Sequence, residues 1–142
     1  MAKLHSLIRL RRHELDEKRK ILAERNKELE ALQDNKQRLL DNLAHEKNLA
    51  AVDLECARHF PQFLSRIMHQ VDELSTQIQF KMSEVQAATL VVQEAYLEAK
   101  KLEIAQENRD KAEDERLQKI DNAIMDEIGI ENFRRHKGDS EI

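Results

Sequence analysis

The sequence predicts an all-α fold, a long antiparallel two-helix coiled-coil hairpin, and three observations predict it. Apolar residues recur every seven positions along both halves of the chain. Turn-forming residues are nearly absent, with two glycines and one proline in 142 residues. Charged residues make up 37% of the chain and aromatic residues 4%, a balance that suits a narrow seam better than a three-dimensional core. An elongated shape is expected. Disorder is the competing reading at a mean hydropathy of -0.74. The fixed spacing of Leu, Ile, Val and Ala argues against it.

Helix one is expected over residues 1–58. Ile8, Leu15, Leu22, Leu29, Leu43, Ala50 and Ala57 form one heptad row, interrupted only by Lys36. The companion row is Leu4, Arg11, Lys18, Arg25, Leu32, Leu39, Glu46 and Asp53, so its early part is basic where a dimeric zipper would be apolar. At 1.5 Å per residue this helix would run about 85 Å.

A turn is expected at 59–62, because Pro61 lacks an amide hydrogen and its ring clashes with the preceding helical turn. A single kinked helix is the alternative. Helix two is expected over 63–128, about 100 Å long. Leu64, Val71, Ile78, Val85, Val92 and Ala99 keep the period. Phe60, Ile67, Leu74, Ala88, Ala95 and Leu102 accompany them, with Lys81 the one interruption. Further on the apolar positions shift to Leu117, Ile120, Ile124 and Ile128, a stutter that predicts local unwinding near 106–116. Gly129 suits a helix C-cap, which leaves 129–142 as a flexible basic tail containing Arg134, Arg135 and Lys137.

Charge is unevenly spread around a net of -4. Residues 1–25 hold eight Lys/Arg against four Asp/Glu, and residues 103–127 hold four against nine. A reversal near Pro61 would set Leu4 across from about residue 118 and lay these two segments side by side, favouring an internal hairpin over a nucleic-acid partner.

The residue types exclude several chemistries. The single Cys56 forms no internal disulfide, and the opening residues lack the apolar core of a secretory signal, so a cytoplasmic setting is expected. No apolar run approaches the roughly 20 residues that cross a bilayer. His13 with Glu17, at i and i+4, supplies two metal ligands where zinc sites use three or four, so no metal is expected. Cys56 and His59 lie one turn apart, with no acid specified to orient the histidine. A glycine-rich phosphate loop is absent. The reading is therefore of no enzyme, no cofactor and no small-molecule substrate. The basic run Arg9, Arg11, Arg12, Lys18, Arg19 and Lys20 has no aromatic residues among it to stack on bases, and Glu14, Asp16, Glu17 and Glu24 interrupt it, so no nucleic acid is expected.

The opening Leu4-His5-Ser6-Leu7-Ile8-Arg9-Leu10, then Leu15-Asp16-Glu17-Lys18-Arg19, resembles the start of FliJ-type flagellar export proteins. Met125-Asp126-Glu127-Ile128-Gly129 with Arg134-Arg135 is similar to the family's acidic-then-basic close. The resemblance implies a component of the type III flagellar export apparatus, similar in form to the central stalk of a rotary ATPase. Its partners would be the hexameric flagellar export ATPase, the membrane export gate protein and export chaperones. It would work in the cytoplasm, peripheral to the inner-membrane export apparatus. Leu4, Leu7, Ile8, Arg9, Arg11 and Arg12 would enter the ATPase pore, with Leu117, Ile120 and Ile124 facing them. Family members are thought to touch the gate through a Phe, an aliphatic, a small residue and a His at helical spacing. Here those positions read Phe63, Ile67, Gln70 and Leu74, and the last two depart from the pattern. Two rivals stand beside this reading. One is a generic cytoplasmic coiled-coil scaffold that self-associates into a four-helix bundle. The other is a nucleic-acid-binding rod whose affinity would fall steeply with salt.

Overall fold

The computed structural model describes residues 2–140, with side chains described for residues 4–138. Two helices account for almost all of them: α1 spans Ala2–Ala50 and α2 spans Leu54–Ser140. They pack against one another as a helical hairpin, and no strand occurs among the described residues. Two compact units are distinguished. One joins the chain up to Arg9 with the chain from Ala99 onward, and the other comprises Leu10–Glu98.

In the Leu10–Glu98 unit the seam follows the heptad rows. Leu15, Ile67, Val71 and Ile78 are buried. Leu22, Leu29, Leu32, Leu39 and Leu43 of α1 and Leu74, Val85, Ala88, Val92 and Ala95 of α2 are half-buried, whereas Ala57 and Leu64, expected on the same rows, are exposed. An aliphatic side chain taken fully out of water contributes roughly 1.5–3 kcal/mol, a value that the four buried residues approach and the half-buried ones reach only in part.

The polar interruptions of the two rows meet each other. Lys81 donates from Nζ to Glu28 Oε2 across the seam at 2.6 Å and forms an ion pair with Glu84 Oε2 on its own helix at 2.8 Å. Arg25 approaches Glu84 at 3.9 Å and Glu28 at 3.4 Å. The Lys81 side chain is only 17% exposed. Both cross-helix pairs share one register: three residues forward on α1, from Arg25 to Glu28, match three back on α2, from Glu84 to Lys81.

In the other unit the covered positions are Leu4, Leu7 and Ile8 on α1 and Ala99, Leu102, Glu103, Ala105 and Gln106 on α2. Ile8 and Ala99 are buried, at 7% and 3% exposure. Every residue of 107–138 is exposed.

Four expectations are corrected. The reversal lies at Ala51, Val52 and Asp53, not at 59–62, and helix one ends at Ala50 rather than at 58. The physical reason is a cap. Asp53 Oδ1 accepts the Glu55 amide at 3.0 Å, and the Asp53 carbonyl accepts the Ala57 amide at 3.0 Å, the two bonds that open a helix. Pro61 then lies inside α2, near its start, where it forgoes one backbone bond without ending the helix. The earlier reversal shortens α1, so Leu4, Leu7 and Ile8 are covered within 99–106 and not by Leu117, Ile120 and Ile124. Helix α2 runs unbroken through 106–116, with no unwinding. It also continues past Gly129 as far as Ser140, so the 129–142 segment is helical over its described part; residues 141 and 142 lie outside the described residues. A C-capping glycine needs a left-handed backbone, and no glycine among the described residues has a positive φ.

Candidate partner-binding surfaces

Three faces of the helices offer surface to a partner, each set by where the seam lies. The first is the outer side of α2 in the Leu10–Glu98 unit. From Val85 to Gln93 no residue is charged, and the seam uses only part of that stretch. Phe80 is 66% exposed, Leu90 57%, Val91 40% and Leu97 57%. Thr89 is compatible with this apolar run because its Oγ1 donates to the Val85 carbonyl at 2.8 Å, which satisfies the hydroxyl within the helix. Beside Phe80, an open and mainly apolar groove is lined by Ala31, Leu32, Thr76 and Gln77, with Glu28 and Lys81 among its walls.

The second face is the stretch 107–138 of α2. Leu117, Ile120, Ile124 and Ile128 follow one another at spacings of three, four and four, so they share one side of the helix, and all are 42–50% exposed. Met125 and Phe133, each 68% exposed, lie on other sides. The third face is basic, at the start of α1. Arg9 and Arg12 are exposed, and Arg12 has an interaction of its own. Arg11 donates from its guanidinium to Glu14 Oε2 at 2.9 Å and is half-buried.

The residues expected at the gate-facing site separate. Ile67 is 7% exposed and belongs to the seam. Phe63 and Leu74 are half-buried on the same side, and only Gln70 is fully exposed. These four therefore do not present a common outer face. The exposure of Phe80 escaped the sequence reading, although the uncharged run from Val85 to Gln93 was the available signal for an unusually apolar outer surface.

Electrostatics reinforce structural roles for the charged groups at the seam. The hydrogen bond from Lys81 outweighs the opposing effect of burial and, with the charges of Lys81 and Arg25 adding to it, holds the Glu28 carboxyl below its ordinary range. Glu28 and then Glu84 in turn raise Lys81. Burial, helped by the Asp53 carboxylate at 3.5 Å from Sγ, pushes the Cys56 thiol upward, which disfavours the reactive thiolate. Among the described residues no cluster of His, Cys, Asp or Glu could hold a metal ion. None of the described helices is long and apolar enough to cross a membrane.

Residues 1–138 match the family model described as "Flagellar FliJ protein". Among curated proteins and solved structures, none matches the chain.

Proposed function

Because the chain belongs to the flagellar FliJ family, whose members are structural components of flagellar export, we propose that it is a non-enzymatic stalk coupling the hexameric export ATPase to the membrane export gate. The observation that carries this reading is the stretch 107–138. It presents Leu117, Ile120, Ile124 and Ile128 to solvent along one side of a helix that no other described residue covers there. A row of aliphatic side chains at helical spacing suits insertion into an apolar sleeve formed by another protein. The exposed Arg9 and Arg12 add a basic surface that an acidic ring lining would attract.

The test is ATP turnover by the purified flagellar export ATPase with and without this protein. Stimulation is expected. It should fall when Ile120 and Ile124 are replaced by Asp, and fall less when Arg9, Arg11 and Arg12 are replaced by Ala, since Arg11 is engaged by Glu14. An intact protein that neither binds the ATPase nor changes its turnover or assembly ends the stalk reading.

For the gate, exposure favours a different set of residues from Phe63, Ile67, Gln70 and Leu74. The same spacing of four, three and four recurs at Phe80, Glu84, Ala87 and Val91, with Phe first and a small residue third, while Glu84, which pairs with Lys81 and Arg25, and Val91 depart from the pattern. Phe80 and Val91 are exposed, whereas Ile67 is not. Phe80→Ala should abolish capture by the soluble part of the gate protein while Phe63→Ala spares it. The reverse pattern would return the contact to the start of α2.

A further inference from the structure

The stretch 107–138 has a symmetry that binding to a ring does not require. Ile120 and Ile128 lie four residues either side of Ile124, and Glu113 and Arg135 lie eleven either side. At about 100° per residue, these offsets turn each side chain only about 40° and about 20° away from the direction of Ile124. One side of the helix therefore reads, outward from Ile124, as isoleucine in both directions and then as opposite charges at the two ends.

A two-fold interface needs this kind of self-complementarity, since each residue meets its mirror-related counterpart on the other copy. We propose that this face is the interface of a homodimer in which the same stretch of a second copy lies antiparallel about Ile124. Ile124 then meets Ile124, Ile120 meets Ile128, and Glu113 meets Arg135 twice. Two pairs do not match: Leu117 falls opposite Glu131, and at the flank Asp121 falls opposite Glu127.

The charge distribution selects the antiparallel arrangement. Residues 111–116 carry three acidic and two basic side chains, and the residues they would meet, 132–137, carry three basic and none acidic. Antiparallel copies set the negative end on the positive end at both extremities, and parallel copies would set like on like. The present partners of the end charges do not prevent this. Glu113 pairs with Arg116 and Arg135 with Glu131, in the same helix, and all four side chains are 55–75% exposed. Exposed pairs of that spacing are weak and exchange readily.

The apolar row is also the one offered to the ATPase in the preceding reading, so the dimer would keep it covered until the ring competes for it. The dimer does not depend on that reading, and its test uses the full chain alone. Sedimentation equilibrium across the micromolar range should show a reversible monomer–dimer system. Ile124→Asp, at a position 49% exposed in the monomer, should leave helicity unchanged and weaken association at least about tenfold, since it replaces the central apolar contact by two facing carboxylates.

Glu113→Arg and Arg135→Glu should each weaken it, and the two together should restore it. Positions 113 and 135 are about 33 Å apart along one helix. Restoration therefore has to arise between chains, because both in-helix repulsions persist in the double variant. A chain that stays monomeric throughout, a dimer that survives Ile124→Asp, or a double variant no better than the singles would each overturn the proposal.

Discussion

Lys81 and Glu28 join α2 to α1 through a 2.6 Å hydrogen bond at the one place where the apolar row of α2 is broken. A heptad slip in either direction would leave Lys81 without this carboxylate, setting Asn35 or Ile21 where Glu28 now stands. The pair therefore specifies alignment, as a single polar residue does in other coiled coils. Lys81→Met should lower the melting temperature, because Glu28 and Glu84 lose their shared cation. It should also broaden the distances measured between spin labels at positions 21 and 88. A single sharp distance in the variant would show that the apolar seam sets the register unaided.

The same pair gives the hairpin a pH dependence with two flanks. Glu28 titrates below its ordinary 4.5 in the folded chain, so its stabilisation is present above that value and is lost as pH falls through the lowered one. Lys81 titrates above its ordinary 10.5, so its stabilisation is present below that value and is lost as pH rises through the raised one. Thermal melts across the full range should show both losses, and Glu28→Gln should flatten the acid flank relative to the parent. An unchanged acid flank would assign it to other carboxylates.

Gly129 provides a sharp test of where α2 ends. A Cβ added there meets nothing within 4 Å, and the backbone is helical. Gly129→Ala should therefore raise stability or local helicity by up to about 1 kcal/mol. If Gly129 were instead a left-handed cap, the same change would destabilise the chain, and amide exchange over 125–133 separates the two outcomes.

At the reversal, Asp53→Ala removes the side-chain acceptor for the Glu55 amide. A loss of about 1 kcal/mol is expected in urea denaturation, with Asp53→Asn close to the parent. Equal losses for Ala and Asn would mean that charge rather than capping matters there.

Ile67 and Phe80 should behave oppositely. Ile67→Ala empties a seam position that is 7% exposed and should cost about 2–4 kcal/mol. Phe80→Ala removes a ring that is 66% exposed and should leave the denaturation midpoint nearly unchanged. A large stability loss at Phe80 would show the ring to be part of the core.

The helices and the seam were legible because Leu15, Val71 and Ile78 repeat at a fixed period that only one geometry buries. Lys81 was visible as an interruption, but Glu28 was not. It lies beside the row rather than in it, and only the alignment of the helices brings the two together. Pro61 drew the expected turn eight residues too late. Pro61 removes one backbone bond and crowds the preceding turn without ending α2, whereas the Asp53 side chain caps the Glu55 amide, and the helix begins at that cap. That displacement then misplaced Leu117, Ile120 and Ile124 as the neighbours of Leu4, since the facing residues follow from the position of the reversal. Surface roles were the least legible, because burial of Ile67 and exposure of Phe80 depend on which side of α2 meets α1 at each turn.

Pro61 leaves one more mark on the hairpin. With no amide to offer, it frees the Ala57 carbonyl from the helical ladder, so residues 54–60 are tied to the rest of α2 by one backbone bond fewer. Cooperativity should be interrupted there. In hydrogen exchange the amides before Pro61 should open and close on their own, at lower free energy than those around Val71 and Ile78.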